Sequence, residues 1–481
     1  MNKDIMKFPL SFLLPISIIA VSVQAQPIEN IEPQLDQDIA VAMPQLEQLD
    51  SFQLVSQQPQ KVYHISQQEL ATNPVLIERF INQAIDQHRA ELLPELLAMY
   101  QVYPQADPIL IQYAQGIYAY SQGNYQQAIT DYRQLLADYP DLIKVRFKLA
   151  QFLFEDKQFT AAKDQFYKLN AEYLPKDIHF RIGQYLQAIE KQNEFKVRLG
   201  LSYLNDSNIN NASSVKYIYI NQYQFAKDPR YLPQKGQGIS YNLNVSKLFN
   251  LIDHHYLYLE NHLYGKYYWN NKDYSEAENR SYLGYQYQNA NYRLAMLPLY
   301  HKHWYANKQY SQGYGVRLEA DKWLSNQWQL VTALELSKTN YKRSERIKYS
   351  QLYSASLLYI ANAKRLFYGG TDVFIERSNA NLEQSNKYML RLGWQQEWKY
   401  GLSSNLHIQL GLRKFKDKDS FKQIIRQDKE MRFNLTLWKR DWHWFNFTPK
   451  LQYRYQRINS NIPEFYSYDK SQFQLLFEKT F

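Results

Sequence analysis

The sequence predicts an α + β chain of two folded domains: an N-terminal all-α domain of tetratricopeptide-like repeats and a C-terminal antiparallel transmembrane β-barrel of about 14 strands. Three observations carry this reading. From about Lys196 to Phe481, short aromatic-rich segments alternate apolar and polar residues, and the last of them stops on a terminal phenylalanine. Alternation at period two sets one side of each strand in an apolar medium and the other in a polar one, and sustained through half a chain it is a barrel signature. Upstream, a stretch with helical periodicity repeats itself at a spacing of 34 residues: Tyr125 and Phe159, Ala128 and Ala162, Tyr132 and Phe166. The N-terminus has a basic start followed by a short apolar run.

Residues 1–25 read as a cleaved signal peptide. Lys3 and Lys7 flank the start, Phe8 to Val23 is apolar, and Val23-Gln24-Ala25 ends in the small-x-small manner of a cleavage site. Residues 26–60, rich in Gln, Pro, Asp and Glu without period, predict a flexible leader with Phe52-Gln-Leu-Val55 as a candidate docking peptide.

Residues 61–194 form the repeat-like domain. Gly116, Gly123, Tyr125, Ala128, Tyr132 and Pro140 fall at the positions a tetratricopeptide unit needs, and Phe159, Ala162 and Phe166 begin a second unit. The alanines let paired helices approach, and the aromatic residues fill the space between neighbouring repeats. Val75 to Tyr103 supplies a degenerate helical pair, Asp177 to Lys191 a closing helix, and Gln112 and Ala119 depart from the usual pattern of large aromatics. Arrays of this kind present a concave groove that binds peptides or partner proteins; the alternative is a spacer that stiffens the link to the barrel.

Residues 195–481 form the barrel. Candidate strands start near Lys196, Gly236, His254, Arg280, Asn291, Tyr310, Gln327, Ser350, Arg365, Asn386, Ser403, Lys429, Phe445 and Asp469. In Ser240-Tyr-Asn-Leu-Asn-Val-Ser246, Tyr241, Leu243 and Val245 are expected to face lipid while Ser240, Asn242, Asn244 and Ser246 face the lumen. Leu406, Ile408, Leu410 and Leu412 repeat the pattern around His407, Gln409 and Gly411. Asn289–Asn291, Leu324–Gln327, Asn362–Lys364 and Arg440–His443 are expected as short turns at the periplasmic end, with longer connections such as Ser207–Lys235 and Lys414–Gln427 between them. Tyr256–Trp269 and Tyr292–Trp304 alternate poorly. In the final strand Phe473, Leu475, Phe477 and Phe481 share one face, as a signal for the barrel assembly machinery would, and Lys479 interrupts that face near the rim.

Composition agrees. Hydrophobic residues make up 45% of the 481 positions and mean hydropathy is −0.59, because half of every barrel strand faces a wet lumen. Aromatic residues reach 16%, with 43 tyrosines, the residue that settles at a membrane–water boundary. The chain has no cysteine, which excludes disulfides, thiol chemistry and an acylated N-terminal cysteine. A net charge of +10 comes with no nucleic-acid recognition motif, so the basic residues are assigned to the barrel rims and lumen.

Little in the chain suggests chemistry. His301 and His303 share one strand face but lack a third ligand, and His254-His255 marks a strand boundary. No nucleophile elbow, phosphate loop or paired-acid pattern stands out, so neither an enzyme nor a cofactor is expected. The more distinctive element follows the first strand, where Asn205, Asp206, Asn208 and Asn210 cluster in Asn205-Asp-Ser-Asn-Ile-Asn-Asn211. Asn and Asp cap turns through their own side chains. The element therefore reads either as a polar extracellular turn or as a hydrogen-bonded insert contacting the pore or a substrate.

A cleavable signal, a short repeat domain, the Asp206-Ser-Asn-Ile-Asn210 element opening the barrel and about 14 strands to a terminal phenylalanine resemble the Slam family, the surface lipoprotein assembly modulators of Gram-negative bacteria. The resemblance covers nearly the whole mature chain. It implies an outer-membrane translocon with a periplasmic repeat domain. Its partners would be a secreted or lipidated protein substrate, outer-membrane lipids, the barrel assembly machinery and periplasmic chaperones. The cargo would be surface lipoproteins or secreted haemophore-like proteins of iron or haem acquisition. An exopolysaccharide exporter also joins repeats to a barrel, but usually with a much longer repeat region; a passive porin or adhesin is the remaining alternative.

Overall fold

A computed structural model describes residue 70 and residues 72–480, apart from 221–222, 343, 381–382, 421 and 446. The expected signal peptide, the leader with its candidate docking peptide, and the terminal Phe481 lie outside the described residues.

Among the described residues seven α-helices come first: α1 (Pro74–Asp86), α2 (Leu93–Tyr100), α3 (Pro108–Ser121), α4 (Tyr125–Asp138), α5 (Ile143–Glu155), α6 (Phe159–Asn170) and α7 (Lys176–Gln192). Their starts are written locally. Asn73, Asp107 and Asn124 accept backbone N–H bonds at the heads of α1, α3 and α4, and prolines open α1 and α3. α3–α4 and α5–α6 are the two repeat units. Ala128 and Ala162 are fully buried where the paired helices cross. Tyr132 stacks on Tyr113 at 5.4 Å and donates its hydroxyl to the Tyr113 carbonyl at 2.9 Å; Phe166 stacks on Tyr185 of α7 at 4.7 Å. Gly116 has no room for a side chain, since a Cβ there would come within 2.3 Å of the Tyr132 ring. Tyr125 packs edge-on to Tyr120, and Phe159 to Phe154. α7 closes the stack with Ile182, Tyr185 and Ile189.

Gly123 turns the chain between α3 and α4 at φ +75°, a left-handed conformation that glycine adopts without penalty. In the second unit the equivalent position, 34 residues on, is Lys157 at φ 65°. A side chain in that region costs roughly 1–2 kcal/mol, so this turn is held by something outside the repeat.

The strands are β1 (Lys196–Asp206), a small hairpin of β2 (Tyr217–Ile220) and β3 (Tyr223–Ala226), then β4 (Gly236–Ile252), β5 (His255–Tyr268), β6 (Glu276–Gln288), β7 (Tyr292–Tyr305), β8 (Lys308–Trp323), β9 (Trp328–Tyr341), β10 (Ile347–Asn362), β11 (Arg365–Ser378), β12 (Ser385–Glu397), β13 (Leu402–Lys418), β14 (Ile425–Lys439), β15 (Thr448–Ser460) and β16 (Tyr468–Thr480). All except β2 and β3 close into an antiparallel 14-stranded barrel in which each strand pairs with its sequence neighbours and β1 meets β16. No described helix is long and apolar enough to cross a membrane.

Alternation sorts the faces as expected. Ile239, Leu410, Leu412, Phe473 and Leu475 point outward, whereas Gly236, Gly238, His407 and Gly411 are buried on the inner face. The poor alternation of β5 and β7 has a cause: Tyr282, Ala295, Leu297 and Leu299 form an apolar cluster inside the lumen, with Tyr258 against it. Both faces of β7 are therefore apolar, and Pro298 adds a gap in its β6 ladder between the Tyr282–Leu299 and Tyr285–Met296 pairs.

Two connections differ from expectation. The β7–β8 turn lies on the rim away from the helices, yet it is only Ala306–Asn307. Both residues have positive φ, the geometry of a tight two-residue hairpin turn, so no longer loop is needed. Conversely, the connection expected as Arg440–His443 runs from 440 to 447, because Trp444 and Phe447 exchange backbone hydrogen bonds and extend the hairpin.

The closing junction is the short one. Among the described residues, β1 and β16 share five residue pairs, Arg198–Ser202 with Leu476–Thr480. The other thirteen junctions carry at least eleven pairs each.

Candidate functional site

The lumen is lined by charges in matched pairs. Arg391, 1% exposed, directs Nε and Nη2 at the two carboxylate oxygens of Asp372 at 2.7 and 2.9 Å, and reaches the Ser354 and Ser356 hydroxyls. Lys387 and Arg413 share Glu430 at 2.8 and 3.1 Å. Across the barrel Arg293 holds Glu319 and Asp321, and Arg280 meets Glu335. Within each of these pairs the charges offset one another, so these parts of the wall are polar and wettable. Sequence reasoning missed the pairing. Its signal was present as same-face charged residues four apart, Lys387 with Arg391 and Asp372 with Glu376, but the partners sit on other strands, which only the fold brings together.

The Asp206–Asn210 element folds over the rim away from the helices. Asp206 Oδ1 accepts the Asn208 N–H at 2.9 Å, and its Oδ2 lies 3.3 Å from Lys470 Nζ on β16. Asn208 both donates to the Ala212 carbonyl and accepts from the Ala212 N–H, each at 2.9 Å. Asn210 does the same job for the returning strand of the loop, bonding the Leu232 carbonyl and the Gln234 N–H. Asp206 and Asn208 are buried and Asn210 is half-buried, whereas Asn205 is exposed on the outer face. These side chains spend their hydrogen bonds on shaping the loop. Next to them Leu204, Ile209 and Tyr268 form a small buried cluster.

The helices dock on the barrel through the turn between α5 and α6. Asp156 Oδ2 lies 2.8 Å from His254 Nε2 in the β4–β5 turn, and Asp156 Oδ1 accepts the Ala290 N–H from the β6–β7 turn at 3.4 Å. Tyr256 donates its hydroxyl to the Lys157 carbonyl, and Thr160 to Asn250 at 2.5 Å. This contact accounts for the left-handed Lys157. Burial there pushes the Lys157 ammonium down from its ordinary range, and Glu155 and Asp156 offset part of that. Nothing in the sequence announced the contact, since its partners lie roughly 90 to 130 residues apart. Asp156→Ala removes the carboxylate, about 1–3 kcal/mol at a buried site, and should expose the 193–195 linker to protease while the barrel stays folded. Unchanged cleavage kinetics would show that this turn does not hold the helices.

Other expected positions fall as follows. His301 and His303 face inward; His301 is 3.2 Å from the Thr339 hydroxyl and His303 3.9 Å from Glu276. No cluster of three or more metal-ligating side chains occurs among the described residues. Phe473 and Leu475 face outward from β16, and Phe477 packs near Trp444.

Residues 195–481 match the family described as surface lipoprotein assembly modifier, and residues 63–166 match that family's N-terminal TPR repeats. The chain belongs to the surface lipoprotein assembly modifier family. It is 36% identical to surface lipoprotein assembly modifier 1 of Haemophilus influenzae over 479 residues, covering 98% of this chain and 97% of the relative. With surface lipoprotein assembly modifier 2 of the same species it shares 34% identity over 87% of this chain and 88% of the other. A more distant relative, the hemophilin secretion modulator of Acinetobacter baumannii, is 22% identical over 94% and 95% of the two chains. Membership and the closed barrel make this an outer-membrane protein, in a family of assembly factors and not of enzymes.

Proposed function

We propose that the protein is an outer-membrane translocon that moves specific partner proteins from the periplasm to the cell surface or medium. The observation that carries this reading is a helical repeat domain hydrogen-bonded to one rim of a closed barrel whose inner wall carries ion pairs. A repeat groove suits capture of an incompletely folded chain, and a wall of paired charges lets a polypeptide pass without binding tightly. The relatives' names, an assembly modifier for surface lipoproteins and a secretion modulator for hemophilin, support a lipoprotein or a secreted protein as cargo, and the family resemblance extends this to proteins of haem or iron acquisition. The helices would then lie in the periplasm, fed by chaperones, with the barrel inserted by the assembly machinery through its final strand. Asn205, Asp206, Asn208 and Asn210 would stand where cargo emerges. Direction would come from folding of the cargo outside the cell.

The test compares the surface and secreted proteins, and the exopolysaccharide, of cells with and without this chain. One or a few proteins should leave the surface or medium and accumulate in the periplasm. An unchanged protein set with lost polysaccharide would instead make the chain a glycan exporter. A chain lacking residues 74–194 should insert normally yet deliver about tenfold less cargo, the equivalent of ~1.4 kcal/mol of lost capture. Full delivery without the helices would remove their receptor role.

A further inference from the structure

We propose that the β1–β16 seam is a lateral gate, and that its open half, Tyr203–Asp206 facing Gln472–Leu475, pairs transiently with an extended strand of the exported protein; this rests on the export reading above. The ladder between these strands stops at the Ser202–Leu476 pair. Beyond it, continuing the same register would set Leu204 opposite Gln474 and Asp206 opposite Gln472, yet no pairing is formed there. Side chains span that half instead. Ser202 Oγ lies 3.5 Å from Gln474 Oε1, and Lys470 reaches Asp206 at 3.3 Å. Above them Ser213 donates to the Pro463 carbonyl at 2.9 Å, tying the loop after β1 to the loop before β16.

A wall joined by eleven or more backbone pairs parts only at a large cost, because every broken bond leaves a polar group facing hydrocarbon. Here five pairs and a few side-chain contacts stand in the way. Each edge is also firmly backed, β1 by eleven pairs to β4 and β16 by eleven to β15, so the two open edges are held extended and in plane. A backed edge with unused backbone groups is a template for strand addition, and an extended stretch of cargo satisfies it. Tyr203 and Phe473, 47% and 69% exposed, flank the opening on its lipid side. Asp206 thereby gains a role the loop geometry alone does not give it: the same carboxylate that shapes the turn also latches the seam through Lys470.

The absence of cysteine makes the gate directly testable, because an introduced pair is the only thiol pair in the chain. Ser202→Cys with Leu476→Cys sits on the last rung of the ladder, and Ala355→Cys with Thr371→Cys sits on a fully paired junction between β10 and β11. In cells whose surface proteins depend on this chain, oxidation of the seam pair should cut their delivery about tenfold or more, and reductant should restore it, whereas the β10–β11 pair should have no effect. Parental delivery through a seam shown by gel shift to be fully cross-linked would overturn the gate and leave export through the lumen standing. If the cysteine-free parent itself restores no surface protein, the export reading fails and the gate with it. A photo-reactive residue at Tyr203 should capture the exported protein while one at Tyr353 on β10 does not; capture at both or neither overturns strand pairing. A second measurement needs no variant. In the unmodified chain in lipid nanodiscs, those alternate amides of 203–206 and 472–475 that point into the seam, and not at β4 or β15, should exchange at least ~100-fold faster than amides of β10 and β11, and equal protection would overturn the proposal.

Discussion

Arg391→Ala should destabilise the barrel by about 3–5 kcal/mol, the range for removing one partner of a buried ion pair. The side chain is 1% exposed and Asp372 4%, so neither charge has solvent to fall back on. Truncation would strand the Asp372 carboxylate and leave the Ser354 and Ser356 hydroxyls without their donor. The double variant Arg391→Ala, Asp372→Ala should recover most of the loss, because the cost comes from the uncompensated charge and less from the absent bond. Urea unfolding of the barrel in vesicles, followed by its gel mobility with and without heating, reads both variants. A single variant as stable as the parent would mean that lumenal water already solvates the aspartate, and the description of Arg391 and Asp372 as a pair shielded from solvent would have to be abandoned.

Tyr132→Ala should unfold much of the repeat domain while leaving the barrel intact. Replacing a fully buried aromatic residue in a core by alanine costs about 3–5 kcal/mol, against a total of ~5–15 kcal/mol for a domain. Tyr132 is stacked on Tyr113, lies 5.1 Å from Phe152 and covers Gly116, so no neighbour can close over the vacated space without moving a helix. Tyr132→Phe isolates the hydroxyl. It should cost about 1 kcal/mol, the worth of the bond to the Tyr113 carbonyl. Burial already holds that hydroxyl protonated well above the usual phenol range, so its contribution should not change at mildly alkaline pH. Circular dichroism on the full chain would show an early helical transition in Tyr132→Ala and an unshifted strand transition. Coincident melting of both signals would show instead that the domains unfold as one unit.

The parts of the fold that were legible are those set by local patterning. Tyr241, Leu243 and Val245 announced β4 because one face of that strand meets lipid and the other meets water. Gly123, Ala128 and Tyr132 announced a repeat because close helix packing tolerates few side chains at those positions. The second unit was harder to read at its turn, where Lys157 replaces glycine and its conformation is held by Tyr256, a residue of the other domain. β7 was blurred because Leu297 and Leu299 turn apolar surface inward. The Asn and Asp cluster carries turn-forming hydrogen bonds of the kind its composition suggests, but its link to Lys470 joins residues 264 positions apart. Seam length is likewise a matter of register, and Arg198–Ser202 carry no compositional mark that their ladder is short.

Only Asn193, Glu194 and Phe195 separate the end of α7 from the start of β1. Three residues reach at most about 10 Å, so the helical stack is attached to the first strand by a leash with almost no slack. Any tilt of the stack is therefore transmitted as tension on β1, one side of the barrel's shortest junction, while the Asp156–His254 contact anchors the stack on the adjoining β4–β5 turn. The direction of that tension matters mechanically. A pull along β1 loads the five seam rungs together in shear, along with the eleven to β4, whereas a sideways pull away from β16 at the leash end breaks the seam rungs one after another. Lengthening the leash with a run of glycine and serine should uncouple the two movements, and single-molecule pulling on the stack would then detach it from the rim without disturbing the first strand.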